Sequence, residues 1–244
     1  MILIVLSIVG MISLLVLLIL TIRFKKGKRK TEEYNENSNI EQIEKLGSTK
    51  HLKITPLVDW YKENEELKRE GGSSYLIETD KQTILFDTGK NTEDEHPSPL
   101  LHNMDKLNIS LFDIDSIVIS HNHLDHVGGL KWNRKKTFSL TSHQIDLGEK
   151  DIYTPTPMSY PGLEPICSKN PIKISEGVCT TGTTANQLFL LGWIEEQALA
   201  VNVEGKGIVL IVGCGHQTVT NIMEKAEKLF NQPIYGIVGG LHFP

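Results

Sequence analysis

Ile117-Val118-Ile119-Ser120-His121-Asn122-His123-Leu124-Asp125-His126-Val127-Gly128-Gly129 is the stretch on which the reading of this chain turns. It continues an apolar run from Ile114 to Ile119 that reads as a buried strand. Residues 121 and 123 leave that strand on the same side, because side chains alternate with period two. Two imidazoles so placed can reach one ion at about 2.0–2.1 Å. Asp125 and His126 follow in a turn and address a neighbouring point in space. Gly128 and Gly129 supply backbone freedom where the chain folds close to the site and enters a helix. Four ligands in six residues exceed the needs of one tetrahedral ion, so the spacing favours two metals about 3.5–4 Å apart. A loop that is merely polar and His-rich would seldom hold three histidines and an aspartate in this frame.

Working outward, His51–Val58, Ser74–Glu78 and Thr83–Phe86 read as strands, the last two joined in a hairpin through Thr79-Asp80-Lys81. Pro99–Leu107 carries Leu100, Leu101, Met104 and Leu107 at helical spacing. Downstream, Trp193–Asn202 and Gly207–Val212 read as a strand pair, Val219–Phe230 as an amphipathic helix and Ile234–Val238 as a final strand. Residues 140–190, rich in Thr, Pro, Ser and Gly, give no clear pattern. Strands in hairpins followed by strands interleaved with helices predict a layered α/β sandwich.

The motif His121-x-His123-x-Asp125-His126 after an apolar strand resembles the signature of the metallo-β-lactamase fold superfamily, and the likeness extends over nearly all of residues 51–244. Gly213-Cys214-Gly215-His216 and Val238-Gly239-Gly240-Leu241-His242 are similar to a branch of metal-dependent hydrolases that includes dihydropterin–ribofuranosylaminobenzene phosphate synthase-like proteins. The resemblance implies a four-layer αββα sandwich. It implies that His216 completes a first site with His121 and His123, and that His242 completes a second with Asp125 and His126. Asp125 and His126 are also the expected catalytic pair. Leu85-Phe86-Asp87-Thr88-Gly89 looks like the superfamily's first motif, in which Asp87 orients a ligand histidine rather than binding metal. Cys214 stands where many relatives carry a bridging Asp; it either ligates as a thiolate or is a small buried residue beside the site. His51, His96, His102 and His143 have no partners in sequence and read as solvated, with His143 a guess for the pocket mouth.

Residues Ile2–Ile22 contain no charge, and about 20 apolar residues suffice to cross a bilayer. Arg23, Lys25, Lys26, Lys28, Arg29 and Lys30 follow at once, which predicts a single-pass anchor with the remaining domain in the cytoplasm. A cleaved signal peptide fits poorly, since nothing basic precedes the run and no small-x-small site follows it. The expected organisation is an anchor over 1–22, a basic flank and polar linker over 23–50 with some helix near Ile40–Leu46, and a domain over 51–244. With those six basic residues set aside, residues 31–244 hold nineteen basic against thirty acidic groups, a formal −11. Nucleic acid is a poor partner for such a surface. Three cysteines without a C-x-x-C spacing imply no disulfide framework.

Two divalent ions would lower the pKa of a shared water and polarise a substrate oxygen. Zinc suits the His/Cys set, with manganese or iron tolerated. The first expectation is therefore a hydrolase acting, through metal-bound hydroxide, on an ester-type bond of a small-molecule substrate, phosphodiester or lactone. A transferase on a phosphoribosyl-type substrate is the alternative that the branch suggests. A third reading is a truncated, non-catalytic relative lacking the C-terminal elements, since Pro244 lies two residues beyond His242. β-Lactam hydrolysis fits a cytoplasmic site badly, and no serine elbow, Walker loop or G-x-G-x-x-G occurs.

Overall fold

The computed structural model describes residues 2–36, 42–61 and 65–241. Six strands form the first sheet: β1 (Leu52–Val58), β2 (Ser74–Thr79), β3 (Thr83–Phe86), β4 (Ser116–Val118), β5 (Asp151–Thr154) and β6 (Ile166–Cys167). They lie in chain order, antiparallel from β1 to β3 and parallel from β3 to β6. The second sheet runs β13 (Ile234–Gly239), β12 (Gly207–Val212), β11 (Leu199–Val203), β8 (Val178–Thr180) and β7 (Lys173–Ser175). A separate hairpin joins β9 (Thr184–Leu188) to β10 (Gly192–Glu196).

Period-two alternation distributes the apolar residues over three cores. Ile77, Ile84, Phe86 and Val118 of the first sheet meet Val201, Val209 and Ile211 of the second, closing the sheets face to face. On the outer face of the first sheet, Leu85, Ile117 and Ile119 pack with Leu100 and Met104 of α2 (Pro99–Lys106) and Trp132 of α3 (Leu130–Lys135). On the outer face of the second, Ile208, Leu210 and Val212 pack with Ile222, Ala226 and Leu229 of α4 (Val219–Leu229). Strands buried on both faces read as continuous apolar runs, which is why β3, β4 and β12 show no alternation in sequence. The layers are helix, sheet, sheet, helix, as expected. α2 starts cleanly: Ser98 Oγ accepts from the Leu101 N–H and Pro99 fills the first turn.

Three local expectations need correction. Trp193–Asn202 is not one strand but two, β10 in the hairpin and β11 in the second sheet. The break falls where the Gln197 N–H and side-chain amide donate to the Ser120 and Ile119 carbonyls, docking the chain on the end of β4. The unpatterned region 140–190 holds β5 to β9, short strands whose turns dominate the composition. The N-terminal helix α1 runs unbroken from Ile2 to Glu36, through the basic flank and into the stretch expected to be linker. Lys, Arg and Glu are good helix formers, so a helix nucleated in the apolar run propagates through them. The described part of the expected tether beyond the helix, residues 42–50, is packed rather than free: Leu46 is buried under α4, and the Ile43 N–H donates to the Leu229 carbonyl. No helix forms over residues 42–46, and Ile40 lies outside the described residues.

By length and composition α1 is able to cross a membrane. Its C-terminal half lies on the hairpin. Phe24 meets Phe189 edge-on at 5.6 Å, Tyr34 meets Trp193 at 5.4 Å, and Lys28 Nζ donates to Asn186 Oδ1 at 2.8 Å.

Candidate metal centre

Strand β4 delivers Ser120 and His121 to the open edge between the two sheets. His121 is fully buried and forms an antiparallel bridge with Glu196. Beyond it the chain turns tightly, the His126 N–H bonding to the His123 carbonyl and the Gly129 N–H to the Leu124 carbonyl. The loop is tied to α3 by Asn122 and Asn133, each side-chain amide donating to the other's backbone carbonyl. Gly128 is required: its φ is +83°, and a Cβ there would lie 2.2 Å from the Ser139 carbonyl oxygen.

This loop, together with the turn after β12, converges five of the expected ligands into two groups. His121, Cys214 and His216 form one, and Asp125, His126 and Cys214 the other, each with its ligand atoms within 4.8 Å of one another. His123 joins the first through ring contacts with His121 at 4.6 Å and His216 at 4.8 Å, and its Nδ1 lies 3.1 Å from His216 Nε2. Cys214 Sγ belongs to both groups and sits 2.9 Å from His126 Nε2. His242 lies outside the described residues. His143 meets the His96 ring at 4.9 Å, tilted by 58°, and is not among the cleft-lining residues.

Asp87 sets the proton positions. It is fully buried, at the left-handed φ of +62°, which Asp tolerates better than most residues. Its carboxylate accepts from the Ser120 N–H at 2.7 Å, from the Ser120 hydroxyl at 2.7 Å and from His126 Nδ1 at 2.7 Å. The Ser120 hydroxyl has one proton and gives it to Asp87, so towards His121 Nδ1, 2.8 Å away, it accepts. Both His121 and His126 are therefore held through an Nδ1 proton, which leaves Nε2 as the atom each would offer a metal. That is the form in which imidazole binds a metal.

Burial opposes charge on His126, but Asp87 and Cys214 outweigh it and hold the imidazole well above its ordinary pKa. Burial pushes the Cys214 thiol up, with His126 pulling the other way. A cation arriving here would displace such protons, so its binding is linked to pH. The donor set of three or four imidazoles, one thiol and one carboxylate suits a borderline ion such as zinc.

Two supporting residues were not singled out from sequence. Glu196, almost fully buried, accepts from the backbone N–H groups of Cys214, Gly215 and His216 at 3.1, 2.9 and 2.8 Å. It thus shapes the turn that presents two candidate ligands. Burial raises its pKa, against the pull of those three donors. The signal was an acid followed directly by Gln197-Ala198-Leu199, a run leading into the core. Ser120 was read only as the end of a strand.

The site opens into a cleft of about 710 Å³ lined by His123, Asp125, Cys214 and His216 on one side and by Asn122, Leu191 and Trp193 around them. A second groove of about 430 Å³ lies along β1 and α2, bordered by Pro56, Leu57, Tyr61 and Leu107. Among the described residues it brings together no comparable set of His, Cys, Asp and Glu side chains.

Residues 67–139 match the family model described as the metallo-beta-lactamase superfamily. A 7,8-dihydropterin-6-methyl-4-(beta-D-ribofuranosyl)-aminobenzene-5'-phosphate synthase of Methanocaldococcus jannaschii is 26% identical, aligned over 81% of this chain and 79% of that protein. An uncharacterized protein of the same organism is 27% identical over 70% of this chain and 72% of its own length. Among solved structures, a quorum-quenching N-acyl homoserine lactone hydrolase shares 16% identity and a TM-score of 0.43, covering 75% of this chain and 91% of that one. The match over residues 67–139 and the chain's own helix–sheet–sheet–helix layering agree with the metallo-β-lactamase-like fold expected from the sequence.

Proposed function

We propose that this protein is a membrane-anchored, metal-dependent hydrolase of an ester-type bond, of the phosphodiester or lactone class. The observation that carries the reading is the pair of ligand groups meeting at Cys214 Sγ on the floor of one cleft. His121, His123, His216 and Cys214 would hold one ion; Asp125, His126 and Cys214, with His242, would hold the other. When bound, the ions supply Lewis acidity and lower the pKa of water. The chain's own residues supply the rest. Asp87 and Ser120 hold the Nδ1 sides of His126 and His121, so that Nε2 is the atom each would offer a metal. Asp125, half-buried and 3.6 Å from His126 Nε2, is placed to hold a proton beside the reacting bond. Trp193 and Leu191 wall the cleft and limit water. The basic residues after Ile22 favour a cytoplasmic position for the domain.

The test is metal analysis of the purified protein together with a panel of bis-p-nitrophenyl phosphate, lactones and thioesters. Stoichiometric divalent metal and turnover that His121→Ala abolishes are expected. A protein that binds no divalent metal, or a variant with unchanged turnover, would sink the proposal.

A second reading rests on the similarity to the archaeal synthase over four-fifths of the chain. On that reading the cleft joins a dihydropterin to a ribofuranosylaminobenzene phosphate. Mass spectrometry of an incubation with both compounds decides it, and absence of the condensation product removes it.

A further inference from the structure

The β9–β10 hairpin ends in Phe189-Leu190-Leu191, which are 41%, 80% and 64% exposed. Single exposed leucines are ordinary, but three consecutive apolar residues at a tip are not. Their position relative to α1 explains them. Asn35 Nδ2 donates to the Ala185 carbonyl, Lys28 to Asn186, and Phe24 packs on Phe189. As β9 advances from Ala185 to Phe189, its helix partners step back from Asn35 to Phe24. The strand covers roughly 13 Å and the helix roughly 16 Å, so the two keep pace. The tip therefore reaches the level of Ile22–Arg23, where the uncharged run of α1 ends and its basic cluster begins.

We infer that this tip enters the bilayer leaflet that α1 leaves, and that the adjoining cleft draws its substrate from that leaflet. The occupant of the tip is lipid: the surface is continuous with the apolar span, and Arg23, Lys25, Lys26 and Arg29 at that level complement anionic headgroups. Leu191, the last residue of the tip, and Trp193, just behind it, also line the cleft that holds His123, Asp125, Cys214 and His216. The lipid-side wall of the cleft is the hairpin itself. The substrate class is an amphiphile that keeps an acyl or alkyl chain in the leaflet while its ester-type bond reaches the site. Water adds across that bond, its hydroxyl going to the acyl carbon or phosphorus and its proton to the leaving oxygen. This substrate assignment rests on the hydrolase reading; the docking of the tip does not.

The full chain in vesicles of phosphatidylcholine and phosphatidylglycerol tests both parts. A Leu190→Trp variant reports depth: the added emission is quenched by lipids brominated near the headgroup end of their chains. For substrate class, p-nitrophenyl butyrate is compared with p-nitrophenyl laurate, and methyl with dodecyl p-nitrophenyl phosphodiester. Leu190→Asp should lower kcat/KM for the long-chain member at least about tenfold, through KM, and leave the short-chain member within about twofold. An unquenched tryptophan overturns the docking, whatever the activity. A quenched one with no chain-length preference overturns the substrate class. A quenched tip in a protein inactive on all four probes refutes the hydrolase reading and the substrate class with it, leaving the docking in place.

Discussion

Replacing Asp87 by Asn tests the core of the site with little change of shape. Asn keeps one oxygen for the Ser120 N–H and, like Asp, tolerates the left-handed backbone at φ +62°. Its amide, however, donates where the carboxylate accepted. Facing His126 Nδ1, it forces the proton onto Nε2, the atom that looks at Cys214 and Asp125. One ligand is thereby blocked. Losing such a supporting partner typically weakens metal binding about 10- to 100-fold, or ~1.4–2.8 kcal/mol. Asp87→Ala is harsher, stranding the Ser120 N–H and His126 Nδ1 at ~1–3 kcal/mol each, towards the lower end because Ser73 Oγ lies 3.3 Å from that Nδ1. The folded state then loses about 2–5 kcal/mol out of a typical 5–15. Chelator-competition calorimetry and urea unfolding separate the two effects. Asp87→Asn should unfold near the wild-type midpoint and lose affinity for one ion; Asp87→Ala should lose both. Wild-type affinity for two ions in Asp87→Asn would refute the proton assignment.

Four further outcomes follow from the same geometry. Cys214→Ser should abolish the thiolate-to-metal charge-transfer band of the cobalt-substituted protein, and an unchanged spectrum would show that Cys214 is no ligand. Gly128→Ala should cost more than about 3 kcal/mol in urea unfolding, since it adds a positive-φ penalty to a backbone clash. Glu196→Gln should lower the unfolding free energy by about 1–3 kcal/mol, because its amide turns donors towards the N–H groups of the 214–216 turn. Lys225 of α4 is turned inwards, its Nζ donating to Gly182, Thr183 and Thr184, and this burial lowers its pKa from 10.5 to about 7. The unfolded chain then holds more protons between those values, so stability should rise with pH from about 7 upwards. Lys225→Met should flatten that rise, and parallel curves for the two proteins would contradict it.

Much of the site was legible because its ligands sit in one contiguous loop after an apolar strand. His121, His123, Asp125 and His126 stand out as candidates by their spacing, and Cys214 and His216 through the resemblance carried by Gly213-Cys214-Gly215-His216. Asp87 was found through the Phe86-Asp87-Thr88-Gly89 motif, though not its link through Ser120 to His121. A hydroxyl that relays one proton has no sequence pattern. Glu196 escaped because its partners are backbone amides eighteen to twenty residues away, brought close only when the sheets close. The strands between residues 151 and 180 were hidden for a related reason: β5 to β8 are two to four residues long, too short for any periodicity to register. The length of α1 was missed because charge was read as a stop, whereas charged residues with long side chains prolong a helix.

That unbroken α1 turns linker length into a ruler. A flexible tether forgives insertions, since its ends wander over a wide range of separations. A helix clamped to β9 does not: each residue added between Ile22 and Phe24 lifts the domain by about 1.5 Å, and four of them by about 6 Å. Rotation matters little, because the run over residues 2–22 is apolar around its whole circumference. On the proposed membrane anchoring, height alone changes, and the distance between lipid and cleft becomes a quantity that the helix fixes residue by residue.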